Sequence, residues 1–144
     1  MKLSVCFVLA AAVSLAGCGS DNGGGSPTAP SANVQFSTAD LRVGTGAEAT
    51  AGRNVTVNYT LWIYNAAAID NKGTRVESGP FGPFVAGGNQ VIEGFSRGVV
   101  GMRVGGLRRI VVPPNLGYGN NPPPGGVIRA NETLIFEIEL VAVQ

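Results

Sequence analysis

Glycine and proline impose the first constraint on this chain, holding 22 and 9 of its 144 positions. Backbone-bending residues at that density interrupt long helices, so short strands and loops are favoured. Histidine is absent, which removes Ser/His/Asp and Cys/His triads, HExxH zinc sites and any imidazole acid or base. Two cysteines cannot build a four-cysteine zinc cluster, and neither a metal nor a cofactor is expected. Charged residues make up 13% and the formal net charge is +1, so nucleic acid is not an expected partner. The glycine-rich stretches lack GxGxxG and a Walker Lys, which leaves nucleotide binding without support. The length is that of one small domain.

Lys2 precedes an apolar run from Val5 to Ala16, about 12 residues against the roughly 20 a spanning helix needs. A basic start followed by a short apolar region reads as a secretory signal. The run ends in Leu15-Ala16-Gly17-Cys18, which resembles a bacterial lipoprotein signal and implies that Cys18 is acylated and becomes the new N-terminus. The alternative is an ordinary signal peptide with a chance cysteine. On the lipoprotein reading residues 1–17 are discarded with Cys6, and the mature chain has neither free thiol nor disulfide. Gly19 leans toward the outer membrane of a Gram-negative envelope.

Residues 18–33 follow as the lipidated Cys and a linker of Gly, Ser, Pro and Asn, with almost nothing apolar to bury. Such a tether has an r.m.s. reach of roughly 20 Å. The expected folded unit is 34–144.

Within that unit Val55, Val57, Tyr59, Leu61 and Ile63 alternate with Asn54, Thr56, Asn58 and Thr60, the pattern of a half-buried strand. Leu134, Phe136, Ile138 and Leu140 alternate with Ile135, Glu137 and Glu139 in a second. Leu107 to Val112 is a third candidate and Val34 to Val43 a weaker one. One stretch is helical in pattern, Gly94 to Met102, with Phe95, Val99 and Met102 at i, i+4 and i+7. Its glycines make it poor as an isolated helix, so packing must hold it. Several strands around one short helix define an α+β domain, its sheet antiparallel because no long βαβ crossover is available.

Taken in order, Val57-Asn58-Tyr59-Thr60, Gln90-Val91-Ile92-Glu93-Gly94-Phe95, Gly98, Gly101-Met102, Val104-Gly105-Gly106, Leu116-Gly117-Tyr118-Gly119 and Glu132 to Leu140 form a set. The set resembles the FK506-binding-protein (FKBP) type of peptidyl-prolyl cis-trans isomerase over roughly residues 52–143. The resemblance implies a curved antiparallel sheet of about five strands wrapped around one short helix, with a proline pocket between them. By position it implies a pocket floor at Phe95, walls at Tyr59, Phe136, Val91 and Ile92, and a rim at Tyr118 and Ile128. Either Phe81 or Phe84 supplies a further aromatic wall, and Glu77 matches the pocket acid, preceded by Val76 at an aromatic position. The implied catalytic set is Tyr118, Glu77, Tyr59 and Ile92, with a flap from Pro113 to Asn131.

The chain departs from the family pattern at several points. Phe95 stands where many members have Trp, Val76 replaces a ring, and Glu77 is one methylene longer than Asp. Leu61 stands where Gly is common, and Trp62 to Gly73 is longer than in the smallest members.

The inventory suits rotation of an X-Pro amide, whose barrier of about 18–20 kcal/mol involves no bond made or broken. The expected partners are proline-containing peptides and unfolded exported proteins, macrolides such as FK506 or rapamycin, and the membrane through Cys18. The chain is expected to be a monomer. The alternative function is a proline-peptide binding module or holdase with little turnover, and a third is a structural lipoprotein with a dead pocket. The arginines at 97, 103, 108, 109 and 129 are candidates to ring the pocket mouth. Glu137 and Glu139 offer a carboxylate pair for glycoside hydrolysis, against the plainer reading of a solvated edge.

Overall fold

A computed structural model describes residues 34–144. The signal segment, Cys18 and the linker to residue 33 lie outside the described residues. Five strands form one antiparallel sheet: β1 (Ser37–Arg42), β2 (Asn54–Tyr64), β3 (Lys72–Val85), β4 (Leu107–Val112) and β5 (Leu134–Val143). Their order across the sheet is β1-β4-β5-β2-β3, and every pairing is antiparallel. One helix, α1 (Glu93–Val99), lies across it.

The alternating residues of β2 and β5 follow their pattern except at Ile135, which is buried although it falls among the polar-face residues. Val55, Val57 and Leu61 of β2 and Leu134, Phe136, Ile138 and Leu140 of β5 are buried. They pack with Phe95, Val99 and Met102 from α1 and the turn after it, and with Ile110 and Val112 of β4. Each aliphatic side chain buried in this way contributes about 1.5–3 kcal/mol. The weak strand near Val34 is shorter than its sequence run, and all six residues of β1 are exposed.

The helix predicted over Gly94 to Met102 runs instead from Glu93 to Val99. Its two glycines are packing residues. A Cβ at Gly98 would collide with the Ile110 side chain, and one at Gly94 would lie 2.5 Å from Val112 Cγ1. Spaced i and i+4 on one helix face, they let α1 approach β4 closely, which compensates for their poor helix propensity.

The strand without a clear alternating signature is β3. Its pairing with β2 slips between Val55 and Val57, and again on either side of Trp62. Such bulges shift the side-chain period, so no run of β3 presents a clean apolar face to a sequence reader.

Candidate functional site

Between α1, the sheet and the 113–131 loop lies a cavity of about 380 Å³. Tyr59, Glu77, Phe81, Gln90, Val91, Ile92, Phe95, Tyr118 and Phe136 line it. Strand β2 delivers Tyr59, β5 delivers Phe136 and β3 delivers Glu77 and Phe81. Phe95 rises from the first turn of α1, and Val91 and Ile92 come from the segment just before it.

The aromatic rings form one interlocked group. Phe95 meets Phe136 edge-on at 5.1 Å between centroids and Tyr59 edge-on at 5.7 Å. Phe84 packs at 5.6 Å from Phe95 and 5.4 Å from Phe81. Edge-to-face contacts of this kind add about 0.5–1.5 kcal/mol each beyond area burial, so the rings hold the cavity open rather than collapsing into it.

The alternative left open at Phe81 and Phe84 resolves by burial. Phe81 is exposed and lines the cavity, whereas Phe84 is buried behind it. Two further candidates stand outside the lining. Ile128, expected on the rim, is 5% exposed and belongs to the core, and Val76 packs against that core from β3. Ile128 is thus a core residue, and half-buried Val76 packs on that core without reaching the cavity. Gln90, which opens the Gln90 to Phe95 motif but carried no expected site role, lines the cavity. Its amide oxygen accepts from the Val85 N–H at 2.7 Å, a signal that no residue pattern carries.

The polar equipment is sparse. The Tyr59 hydroxyl donates to Glu77 Oε1 at 2.6 Å. Burial, then this bond, push the Tyr59 phenol well above its ordinary value, and burial with the nearby Glu77 charge raises Tyr118 too. Both phenols therefore stay neutral donors across the physiological range. The Tyr118 hydroxyl donates to no protein group among the described residues, and neither does the Ile92 N–H at the N-cap of α1.

None of the arginines expected at the mouth lines the cavity, and four of the five pair with carboxylates elsewhere. Arg97 pairs with Glu93 at 3.3 Å and lies over the Phe36 ring, and Arg103 pairs with Glu48. Arg108 bonds Asp40 and the carbonyls of Gly98 and Val100 at the end of α1. Arg109 reaches Glu137 and Asp70, and Arg129 lines a separate cavity between the 113–131 loop and the β2–β3 connection. The Glu137 and Glu139 pair is likewise engaged, Glu137 by Lys72 at 2.6 Å and by Arg109 at 3.0 Å, and Glu139 by Arg42 at 2.7 Å. Carboxylates so neutralised do not form an acid/base pair facing a substrate.

An apolar slot with one carboxylate, two neutral phenols and an open backbone N–H suits a neutral, planar, ring-bearing amide.

The family model described as FKBP-type peptidyl-prolyl cis-trans isomerase matches residues 46–141. The chain is 41% identical over 104 residues to the FK506-binding protein of Neisseria meningitidis serogroup B, covering 72% of this chain and 92% of that one. Among solved structures it is similar to FkpA from Escherichia coli, with a TM-score of 0.60 and 29% identity over 76% of this chain and 48% of that one. A peptidyl-prolyl cis-trans isomerase from Pseudomonas syringae pv. tomato matches with a TM-score of 0.57 and 28% identity, over 76% of this chain and 75% of that one.

Proposed function

Because the chain belongs to the FKBP-type peptidyl-prolyl cis-trans isomerase family and is an enzyme of that class, we propose that its aromatic cavity is where X-Pro amides of exported proteins rotate. The observation that carries this reading is the 380 Å³ cavity itself, walled by Tyr59, Phe81, Phe95 and Phe136. A proline ring settles on Phe95, between Tyr59, Phe136 and Phe81, with Val91 and Ile92 along the backbone of the preceding residue. The Ile92 N–H and the Tyr118 hydroxyl donate to substrate carbonyl oxygens. Glu77 fixes the Tyr59 phenol through the 2.6 Å bond and so sets the width of the slot.

The barrier falls because the planar amide is the more charge-separated state. An apolar surround disfavours it relative to the twisted amide, and binding energy from flanking residues holds the twist. No protonation step is needed, so the absence of histidine costs the enzyme nothing. Phe84, Val76 and Ile128 support the walls from behind. A macrolide of the FK506 or rapamycin type would compete for the same slot, in keeping with the name of the Neisseria relative.

The N-terminal pattern supports a second element of the proposal. The run from Val5 to Ala16 followed by Gly17-Cys18 reads as the signal of an exported lipoprotein, held to the bacterial envelope through acylated Cys18 and the 18–33 linker. The lipid and linker let a monomeric 34–144 domain sweep the membrane surface for unfolded clients.

A refolding or protease-coupled assay with an X-Pro peptide tests the catalytic reading, and a rate no higher than background would overturn it. Peptide binding without turnover would select a holdase instead. For the anchor, Cys18→Ser is expected to release the protein from membranes at unchanged isomerase activity; continued membrane association would refute the lipid attachment.

A further inference from the structure

Three cavity-lining residues, Gln90, Val91 and Ile92, sit on a segment with no regular structure of its own. It runs from the end of β3 at Val85 to the start of α1 at Glu93. Such a segment wanders unless something fixes it, because each free residue retains about 1–2 kcal/mol of backbone entropy.

Its first residue is well held: the Ala86 N–H donates to the Arg53 carbonyl and the Gly52 N–H to the Ala86 carbonyl, both at 2.9 Å. A turn follows, closed by the Gly88 N–H on the Val85 carbonyl at 3.0 Å, with Gly87 at a φ of 74°. Beyond Gly88 the backbone ties stop until the Ile92 carbonyl accepts from Ser96 in the first turn of the helix.

Two side chains bridge that gap. The Ser96 hydroxyl, 1% exposed, donates to the Gly88 carbonyl at 2.8 Å. A helical serine commonly bonds the carbonyl four residues back; this one reaches eight residues back, out of the helix and into the loop. From the other side the Gln90 Oε1 accepts from the Val85 N–H at 2.7 Å. An N–H can only be met by the oxygen end of the amide, so this bond also fixes which way the carboxamide faces.

We propose that Ser96 and Gln90 are positioning residues for isomerisation, two clamps that fasten the Gly88–Ile92 wall to α1 and to β3 and so set the place of the Ile92 N–H. They hold the loop from opposite ends, and between them lies the stretch of wall that contacts the peptide backbone. This inference rests on the proposed use of the cavity and adds to it the residues that keep one wall at fixed distance from the phenols opposite.

The test compares the full-length chain with Gln90→Leu, Gln90→Glu, Ser96→Ala and the Gln90→Leu/Ser96→Ala double variant. Leu removes the acceptor at similar size, whereas Glu retains it. A wall displaced by a fraction of an ångström is expected to lower kcat about three- to tenfold in Gln90→Leu and Ser96→Ala, with KM changing less than twofold. Gln90→Glu recovers most of the rate, and the double variant falls short of the product of the singles because either loss already frees the same segment. Unchanged kcat in both singles, or Gln90→Glu as slow as Gln90→Leu, would overturn the proposal.

Amide exchange at Gly88 and Ser96, whose N–H groups tie the ends of this segment through the Val85 and Ile92 carbonyls, provides a readout independent of turnover. Acceleration in Gln90→Leu and Ser96→Ala supports the clamp even if the unaltered protein shows no isomerase activity, a result that would reject the catalytic reading alone. Exchange unchanged from the unaltered chain rejects the clamp.

Discussion

The two faces of the sheet are built from alternate residues of the same strands and have opposite characters. On the concave side β2 and β5 turn Tyr59 and Phe136 toward α1, where one carboxylate, Glu77, is the sole charged residue lining the cavity among the described residues. On the convex side the same strands place Trp62 and Glu137. Here Lys72 lies 4.5 Å from the Trp62 ring centroid and 2.6 Å from Glu137, while Arg109 bridges Glu137 and Asp70. Ile135, paired directly with Trp62, is 1% exposed on this side and stands apart from the main core cluster. A strand period of two thus separates the surface that needs apolar, proton-quiet walls from the surface that can carry ion pairs. Mutations on the two faces should therefore divide cleanly between rate and stability.

The largest effect is expected at Phe95, which belongs to both the cavity and the core. Phe95→Ala should cost about 3–5 kcal/mol in urea unfolding and reduce kcat/KM more than tenfold. Phe95→Trp should preserve both, and loss of activity in the Trp variant would mean that the floor is shaped for Phe alone. Tyr118→Phe comes next and probes the concave face without its packing. It should lower kcat/KM several-fold while stability moves by less than about 1 kcal/mol. An unchanged rate would remove the hydroxyl from the proposed donors.

On the convex face Glu137→Gln should destabilise by about 1–2 kcal/mol, less at high salt, because its carboxylate is partly buried between two cations. The isomerase rate per folded molecule should not change. A rate loss there would show that the two faces are coupled through β5.

The smallest effect concerns Asp40. Its hydrogen bond with Arg108 holds the carboxyl below its ordinary value of 3.8. A carboxyl depressed in the folded state stabilises above the unfolded value, and that stabilisation disappears as pH falls through the lowered folded value. Asp40→Asn should therefore lower the Tm by a constant small amount above about pH 4, with the difference closing at more acid pH. At the alkaline end the sign reverses for Tyr59 and Tyr118. Their raised values mean that the folded chain keeps protons the unfolded chain has lost, so stability should decline above about pH 10. An absorbance titration of the phenolates, with and without denaturant, measures the separation.

Much of the fold was legible because β2, β4 and β5 have one wet face and one dry one, and alternation records that directly. The glycines of α1 hid their purpose, since Gly94 and Gly98 lower helix propensity and earn their place only against Val112 and Ile110 of β4. At the site Tyr59, Phe95, Phe136 and Tyr118 were found through an ordered motif set. Gln90 was missed because its importance lies in a hydrogen bond to Val85, and the arginines at 97, 103, 108 and 109 were misplaced because their side-chain partners are set by packing that no local pattern records.

From periodicity and composition, which are local properties, this chain was confined to a small antiparallel α+β domain without histidine chemistry, and the aromatic site was implied by its resemblance to a family. Which aromatic faces the cavity, which carboxylates are neutralised, and what fastens the wall before α1 were decided by tertiary structure. Those outcomes depend on bulges and on groups far apart in sequence, and a bulge of one residue turns every following side chain to the other face.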